Sequence, residues 1–426
     1  MATIGTAGAR ARSAEQTRGT IVSAARTLFV ERGYRAVSLR DVATAAGLSH
    51  PGLLRHFPAK DALLAAVVAE LEDETQTRAT SRLDADEPGT PMYAEIARVN
   101  ASIPGYLPLF GALTGEASTA THPAHAYMRA RYETVRETTI DSLSESMAMG
   151  VVAGDRDLVD ETIRLDAGWD GLQVLQQYLP ERIDVATALE QHQARLTLPR
   201  GWRDPDEPAP AASATPSPVP DMPHFAVDDD TDSGYRPGRD TRARIIDGAM
   251  TLFAQSGYGD TSLRDIAAGV GVSKSTLLHH FASKEALLLE VAAQRDRQIS
   301  ARDSYSRASR AADELRFLPV GAAENSEREP GLIEVYAVLS CEALPAEHPA
   351  HEYFARRYAD TIDHFAALLR GAQADGDLPA DRDPEFEAVW LTALWDGLQY
   401  QWLYDRDAVD IAAQLRAHLD DVMPPR

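Results

Sequence analysis

The chain has 426 residues, 44% of them hydrophobic and 25% charged, with a formal net charge of −23. This composition suits a folded globular protein of two to four domains, at roughly 100–200 residues each, and excludes disorder over most of the chain. A single cysteine, Cys341, excludes an internal disulfide. No stretch resembles a membrane span of about 18 apolar residues. The start MATIGTAGARARSAEQ has no apolar core of signal-peptide length, so a cytoplasmic protein is expected.

Residues 1–16 are rich in small side chains, carry Arg10 and Arg12, and are expected to form a flexible arm. From Thr17 the apolar pattern is helical. Ile21, Ala25, Leu28 and Phe29 fall at i, i+4, i+7, i+8, and Leu39, Val42, Ala43 and Ala46 at i, i+3, i+4, i+7. Ser38 and Asp41 form an S-x-x-D start, with the serine as cap and the acid in the first turn. The helix is expected to stop at Gly47, a residue suited to the left-handed conformation. Ser49 then caps a short helix, HPGLLRHF. Two short helices joined by a glycine-containing turn read either as a plain helical hairpin or as a helix-turn-helix, whose second helix enters the major groove.

The pattern is written twice. Residues 17–70 match the chain at an offset of 224, with 26 of 54 positions identical, and residues 109–173 match at an offset of 226, with 25 of 65 identical. Ser262, Asp265, Gly271 and Ser273 repeat the caps and the turn before KSTLLHHF. The protein is therefore a duplication of a unit of about 200 residues. Charge favours the DNA-binding reading of both motifs. Residues 17–60 carry a net of +5 and residues 241–284 a net of +2, leaving about −30 for the rest. The three lysines, Lys60, Lys274 and Lys284, all lie in these motifs. A local basic face is what a duplex requires, whatever the whole-chain sum.

The expected organisation is all-α: an arm at 1–16, a helix-turn-helix domain at 17–61, a regulatory helical domain at 62–202, a linker at 203–238, a second helix-turn-helix domain at 239–285 and a second regulatory domain at 286–426. The linker holds eight prolines and eight acids in 36 residues. It is expected to be solvated and partly extended. In the regulatory domains Leu165, Trp169 and Leu172, and again Leu391, Trp395, Leu398 and Trp402, recur at helical spacing and suit a packed core or bundle seam. Asp170 with Gln173, and Asp396 with Gln399, stand at i, i+3; they orient a ligand or satisfy each other on a dimer face. His122 and His125, and His348 and His351, form H-x-x-H pairs with Glu116 or Glu342 six residues upstream. Such a pair on a helix can bind zinc. Pro123 and Pro349 suit the first helical position, which puts the first histidine before the helix, and no metal site is expected. No H-E-x-x-H, P-loop, G-x-S-x-G or dinucleotide motif occurs, and neither catalysis nor a cofactor is expected. Cys341 reads as a small buried hydrophobe.

The segments LFVERGYRAVSLRDVATAAGLS and LFAQSGYGDTSLRDIAAGVGVS, each followed by a short helix closing with HF and a lysine three residues on, resemble the TetR family of bacterial transcriptional regulators. The HPAH and WDGLQ segments resemble the C-terminal domains of one branch of that family. The resemblance implies DNA contacts from Ser38, Arg40, Ser49, His50, Pro51, Gly52, Arg55, His56 and Lys60. In the second half it implies them from Ser262, Arg264, Ser273, Lys274, Ser275, Thr276, His279, His280 and Lys284. Arg40 and Arg264 suit a guanine edge, and Lys60 and Lys284 suit phosphate. Leu54 and Leu278 stand where many members have tyrosine, and core packing is the expectation for both. The resemblance also implies a small-molecule inducer, with Trp169, Asp170, Gln173, Trp395, Asp396 and Gln399 as candidate contacts.

Family members usually act as homodimers with two recognition helices one DNA turn apart. Here one chain supplies both units, and a 36-residue coil of about 30–35 Å can join them side by side. An intramolecular pseudo-dimer is expected, with a further homodimer as the alternative. The expected function is a ligand-responsive repressor of double-stranded DNA with two unlike half-sites. The alternative is a ligand- or partner-binding helical protein that has lost DNA recognition.

Overall fold

The computed structural model describes residues 4–34, 37–82, 93–120, 122, 124–207, 216–223, 236–303, 309–328 and 330–425. Every regular element among them is a helix. In the first half these are α1 (Ile4–Arg32), α2 (Leu39–Ala45), α3 (His50–Leu54), α4 (Lys60–Arg82), α5 (Tyr93–Ser102), α6 (Tyr106–Glu116), α7 (His125–Ala148), α8 (Leu158–Tyr178) and α9 (Val185–Leu196). The second half repeats the order with α10 (Arg236–Asp260), α11 (Leu263–Val270), α12 (Lys274–His280), α13 (Lys284–Asp303), α14 (Ala311–Arg328), α15 (Pro330–Glu342), α16 (His351–Ala374), α17 (Pro384–Tyr404) and α18 (Ile411–Val422). None of the described helices is long and apolar enough to cross a membrane.

Two expectations are corrected here. The segment expected as a flexible arm is helical from Ile4, as the first stretch of α1. Its Ala, Arg, Glu and Gln content favours helix over coil. The linker is not simply solvated either. Arg203 donates to the Asp377 carbonyl at 2.8 Å, and the Ser217 amide donates to Asp375 at 3.0 Å. Val219 packs against the large core cluster shared by the two halves. Proline fixes an extended backbone whose unpaired amides and carbonyls can be met by a neighbouring surface, so a proline-rich segment can dock without secondary structure.

The two halves meet along α8 and α17, with no room to spare. A Cβ on Gly171 would fall 1.9 Å from the Ala393 carbonyl oxygen, and one on Gly397 would fall 1.7 Å from that of Ala167. At the 226 offset these are the same contact made twice. Other pairs exchange in the same way. The Tyr178 hydroxyl donates to the Ser340 carbonyl, while the Tyr404 hydroxyl donates to the Thr114 carbonyl at 3.0 Å. The His125 ring stacks on Tyr404 at 5.4 Å and the His351 ring lies on Tyr178 at 5.0 Å. Gly115 and Cys341 are themselves counterparts and face each other, with a Gly115 Cβ falling 2.4 Å from the Cys341 Cβ. Residue i meets j while j's copy meets i's copy, the pattern of an isologous contact between identical subunits. Cys341 is 1% exposed there and burial pushes its thiol up to about 12, so it packs as a hydrophobe.

Candidate nucleic-acid interface and effector cavity

The reading heads are built from capped short helices. Ser38 caps α2 and forms a reciprocal box with Asp41, whose carboxylate takes the Ser38 amide at 2.8 Å. Ser262 and Asp265 do the same for α11. The hydrogen bonds from Ser38 and Ser262 hold Asp41 and Asp265 below the usual carboxylate range. Gly47 and Gly271 turn the chain at φ +69° and +75°, where a side chain would strain the backbone. Ser49 and Ser273 then cap α3 and α12 by accepting the amides of Gly52 at 3.2 Å and Thr276 at 3.0 Å. These four serines thus set the helix starts, and any DNA contact is additional to that role.

On the second helix of each head, one leucine faces in and its neighbour faces out. Leu53 and Leu277 are fully buried, whereas Leu54 and Leu278 are 37% and 40% exposed. Core packing, expected for Leu54 and Leu278, is therefore corrected: a helix that short has one apolar position per turn to give to the core. Arg40, Pro51 and Arg55 are exposed in the first head, as are Arg264, Lys274, Ser275 and His279 in the second. His50, Gly52 and His56, like Thr276 and His280, are half-buried. Burial, then the nearby His279 and Arg242, hold His280 below the usual imidazole value. Substituting Leu278 by Ser should leave stability within about 0.5 kcal/mol, whereas Leu277→Ser should cost about 3 kcal/mol or more. Equal losses in urea unfolding would refute this division of the helix.

Lys60 and Lys284 sit differently from a free phosphate contact. Each ammonium lies over a tyrosine ring, Lys60 at 4.2 Å from Tyr34 and Lys284 at 4.1 Å from Tyr258. Each tyrosine in turn meets the first histidine of an HPAH segment, His122 at 5.3 Å and His348 at 5.2 Å. The two HPAH segments therefore join head to body. The His122 and His348 Nδ1 atoms accept the amides of Ala124 at 3.1 Å and Ala350 at 3.2 Å. The second histidines reach the carbonyls of Ala117 at 2.9 Å and Ala343 at 3.0 Å. The helices begin at His125 and His351, two residues later than the prolines suggested. The Tyr258 amide also donates to Glu342 at 2.6 Å. Sequence reasoning did not single out either tyrosine, although the matched G-Y pair at offset 224 was visible.

The six candidate ligand contacts separate. Trp395, Asp396 and Gln399 line a cavity of about 120 Å³ between α13, α14, α15, α16, α17, the start of α18 and the docked linker. Its wall also holds Arg295, Asp296, Arg357, Thr361, His364 and Phe365. Asp396 accepts the Tyr336 and Tyr358 hydroxyls at 3.0 and 2.7 Å. Burial pushes Asp396 up. Burial also acts to raise Asp296, but Arg357 and Arg295 beside it hold it below the usual carboxylate value. In the first half Trp169 meets Tyr93 edge-on at 6.2 Å. Asp170 lies near Arg131, Tyr132 and Gln401 and is pushed up to about 6, chiefly by burial. The Gln173 carbonyl accepts the side chain of Gln177 at 3.0 Å. The sequence missed Arg295, Asp296, Arg357 and His364. Arg131–Glu72 at 2.6 Å and Arg357–Asp296 at 3.0 Å are counterpart ion pairs, which the repeat offset could have revealed.

The model of the bacterial regulatory proteins of the TetR family matches residues 21–67 and 245–291. That of the C-terminal domain of BetI-type transcriptional repressors matches residues 332–424. The chain belongs to the TetR family. It is a DNA-binding transcriptional regulator carrying two tandem copies of the family's reading head. The HTH-type transcriptional regulator TtgR of Pseudomonas putida is 29% identical over 197 residues, covering 43% of this chain and 89% of that protein. The HTH-type transcriptional repressor KstR2 of Rhodococcus jostii is 28% identical over 175 residues, covering 39% of this chain and 69% of that one. A TetR-family transcriptional regulator from Agrobacterium tumefaciens of solved structure is 21% identical, covers 44% of this chain and 99% of its own, and superposes with a TM-score of 0.40. Each relative thus corresponds to about one half of this TetR-family chain.

Proposed function

We propose that this TetR-family chain is a ligand-responsive repressor whose two unlike heads, held by one intramolecular seam, read an operator with two unlike half-sites. The observation that carries this is the pair of recognition helices: α3 and its C-cap present His50 and Arg55 where α12 presents Lys274 and His279. An operator's symmetry mirrors that of its protein, so heads with different outward side chains favour different bases. Phosphate contacts fix position, and base-edge contacts from Arg40 and Arg264 carry sequence information.

Repression would be relieved by ligand binding in the second-half cavity. α15 carries Ile333 in the cavity wall and ends at Glu342, which holds the Tyr258 amide of the second head. α16 carries Arg357 and His364 in the wall and starts at His351, which meets Tyr178 of the first half. A ligand shifts the spacing of the heads only by its difference in affinity for the two arrangements.

The test is selection of bound sequences from random duplex DNA by the purified chain. Enrichment of two unlike half-sites at fixed spacing is expected. A true palindrome would mean that two chains pair or that one head reads alone; absence of enrichment at any salt would leave a binder without DNA recognition. Lys274→Ala is expected to weaken binding uniformly and to lower the salt slope by about 1. An unchanged slope would remove Lys274 from the phosphate contacts.

A further inference from the structure

Residues 216–223 lie in the segment that joins the two halves, yet they are built into the second half. The Ser217 amide and hydroxyl both bond the Asp375 carboxylate, at 3.0 and 2.9 Å, where α16 ends. Val219 packs on the core, and Met222 and Pro223 line the cavity of about 120 Å³. Single-unit family architecture has no joining segment to place there.

The wall defines what fits. Its charged groups already have partners: Arg357 and Arg295 share Asp296 at 3.0 and 2.9 Å, and Arg357 also donates to the Tyr336 hydroxyl at 2.9 Å. Asp396 takes two tyrosine hydroxyls. A charged ligand would shed its hydration without meeting an uncommitted counter-charge. Trp395, Phe365, Leu318 and Ile333 supply apolar and aromatic surface. One polar atom stands out. His364 is 9% exposed, lines the cavity, and its Nδ1 has no hydrogen-bond partner among the described residues. Burial holds its imidazole below the ordinary value, and the Asp221 backbone meets the ring. A neutral imidazole with one nitrogen held by backbone offers the other as an acceptor. The first-half counterparts of His364 and Phe365 are Thr138, which is exposed, and Thr139, which is bonded to Asp166 at 3.0 Å. Engineered cavities of about 150 Å³ take a single benzene ring.

We propose that residues 216–223 form one wall of a site in the second half for a compact, neutral, largely aromatic ligand with one hydrogen-bond donor, which His364 accepts. The proposal rests on the ligand-responsive reading above and deepens it: the segment tying the two heads together is itself part of the effector site, so ligand and linker docking are linked. Calorimetric titration of the full chain with phenol, toluene and benzoate tests the ligand class. Phenol is expected to bind, toluene at least tenfold more weakly, and benzoate not at all. His364→Leu should remove the preference for phenol over toluene while leaving toluene binding intact. Replacing residues 216–223 by a Gly-Ser segment of equal length should weaken phenol at least tenfold and leave ligand-free DNA affinity within twofold.

Preference for benzoate, or no heat from any of the three compounds, would overturn the ligand class. Unchanged phenol affinity in the linker replacement would overturn the role of the linker. Ligand-free DNA affinity of the parent chain is measured in the same series. Its loss would defeat the repressor reading without touching the binding result, so the two failures are distinct.

Discussion

Gly171→Ala is expected to destabilise the chain by about 3 kcal/mol or more and to abolish high-affinity binding to the two-half-site operator, although alanine is the better helix former. Glycine in a helix interior costs about 1 kcal/mol relative to alanine, so propensity alone predicts a gain. The tertiary contact reverses the sign. A Cβ at Gly171 would stand 1.9 Å from the Ala393 carbonyl oxygen, and one at Gly397 would stand 1.7 Å from that of Ala167. Both obstacles are backbone atoms, which no rotamer change can move aside. Relief requires α8 and α17 to separate, which would loosen the paired tyrosine bonds at Ser340 and Thr114. Overpacking usually costs about 1–3 kcal/mol, and more when the obstacle is rigid. Gly19→Ala is the control: Gly19 is exposed in α1, its added Cβ meets nothing within 4 Å, and a gain of up to about 1 kcal/mol is expected. Urea unfolding and DNA titration of the three variants decide the matter. Gly171→Ala and Gly397→Ala behaving like Gly19→Ala would mean that the two halves do not pack in this way.

Asp166→Asn is expected to stabilise the protein above neutral pH, and to do so less and less as the pH falls. Asp166 is buried in α8 and accepts the Thr139 hydroxyl at 3.0 Å. Burial first, then the charge of Asp170, raise its carboxyl from 3.8 to about 7. The raised value means that the folded chain holds a proton there between about pH 4 and 7 while the unfolded chain has released it. Stability therefore falls as pH rises through this window, and the full penalty is present above about pH 7. Asparagine keeps an acceptor for Thr139 and carries no charge. At about 1.4 kcal/mol for each tenfold change in proton affinity, raising a carboxyl from 3.8 to about 7 bounds the gain at pH 8 at about 4 kcal/mol. The gain should vanish below about pH 4, where both states of the parent are protonated. Urea unfolding of parent and variant at pH 5 and pH 8 measures it. A difference independent of pH would show that Asp166 does not titrate in this window.

The repeat, the helical class and the two heads were all legible in the sequence, because each rests on local chemistry. The caps at Ser38, Ser49, Ser262 and Ser273 depend on residues three apart. The turns at Gly47 and Gly271 depend on one residue each. Exposure on the recognition helices was not legible in the same way. Leu53 and Leu54 are chemically identical neighbours, and only the packing of α3 on the rest of the head decides that Leu53 is buried and Leu54 is not. Trp169 and Trp395 pose the same problem at larger scale. They stand at equivalent positions of matching segments, yet Trp395 lines a cavity and Trp169 packs on Tyr93.

By itself, then, the sequence determined the duplicated unit, its helices, their caps and the confinement of lysine to the heads. Each of these follows from residue type and short-range spacing. The tertiary structure decided which surfaces close on which. Burial of Cys341 was expected from its chemistry, but the close approaches at Gly171, Gly397, Gly115 and Cys341 exist only once α8 meets α17 and α6 meets α15. The proline-rich segment read as solvated until Asp375 and the large core cluster were placed beside it. Met222, Asp296 and the α16 pair Arg357 and His364 come from three separate segments of the chain, and no local pattern marks them as the walls of one cavity. Contacts between distant segments depend on the summed shape of every packed side chain, and that sum exists only in the folded molecule.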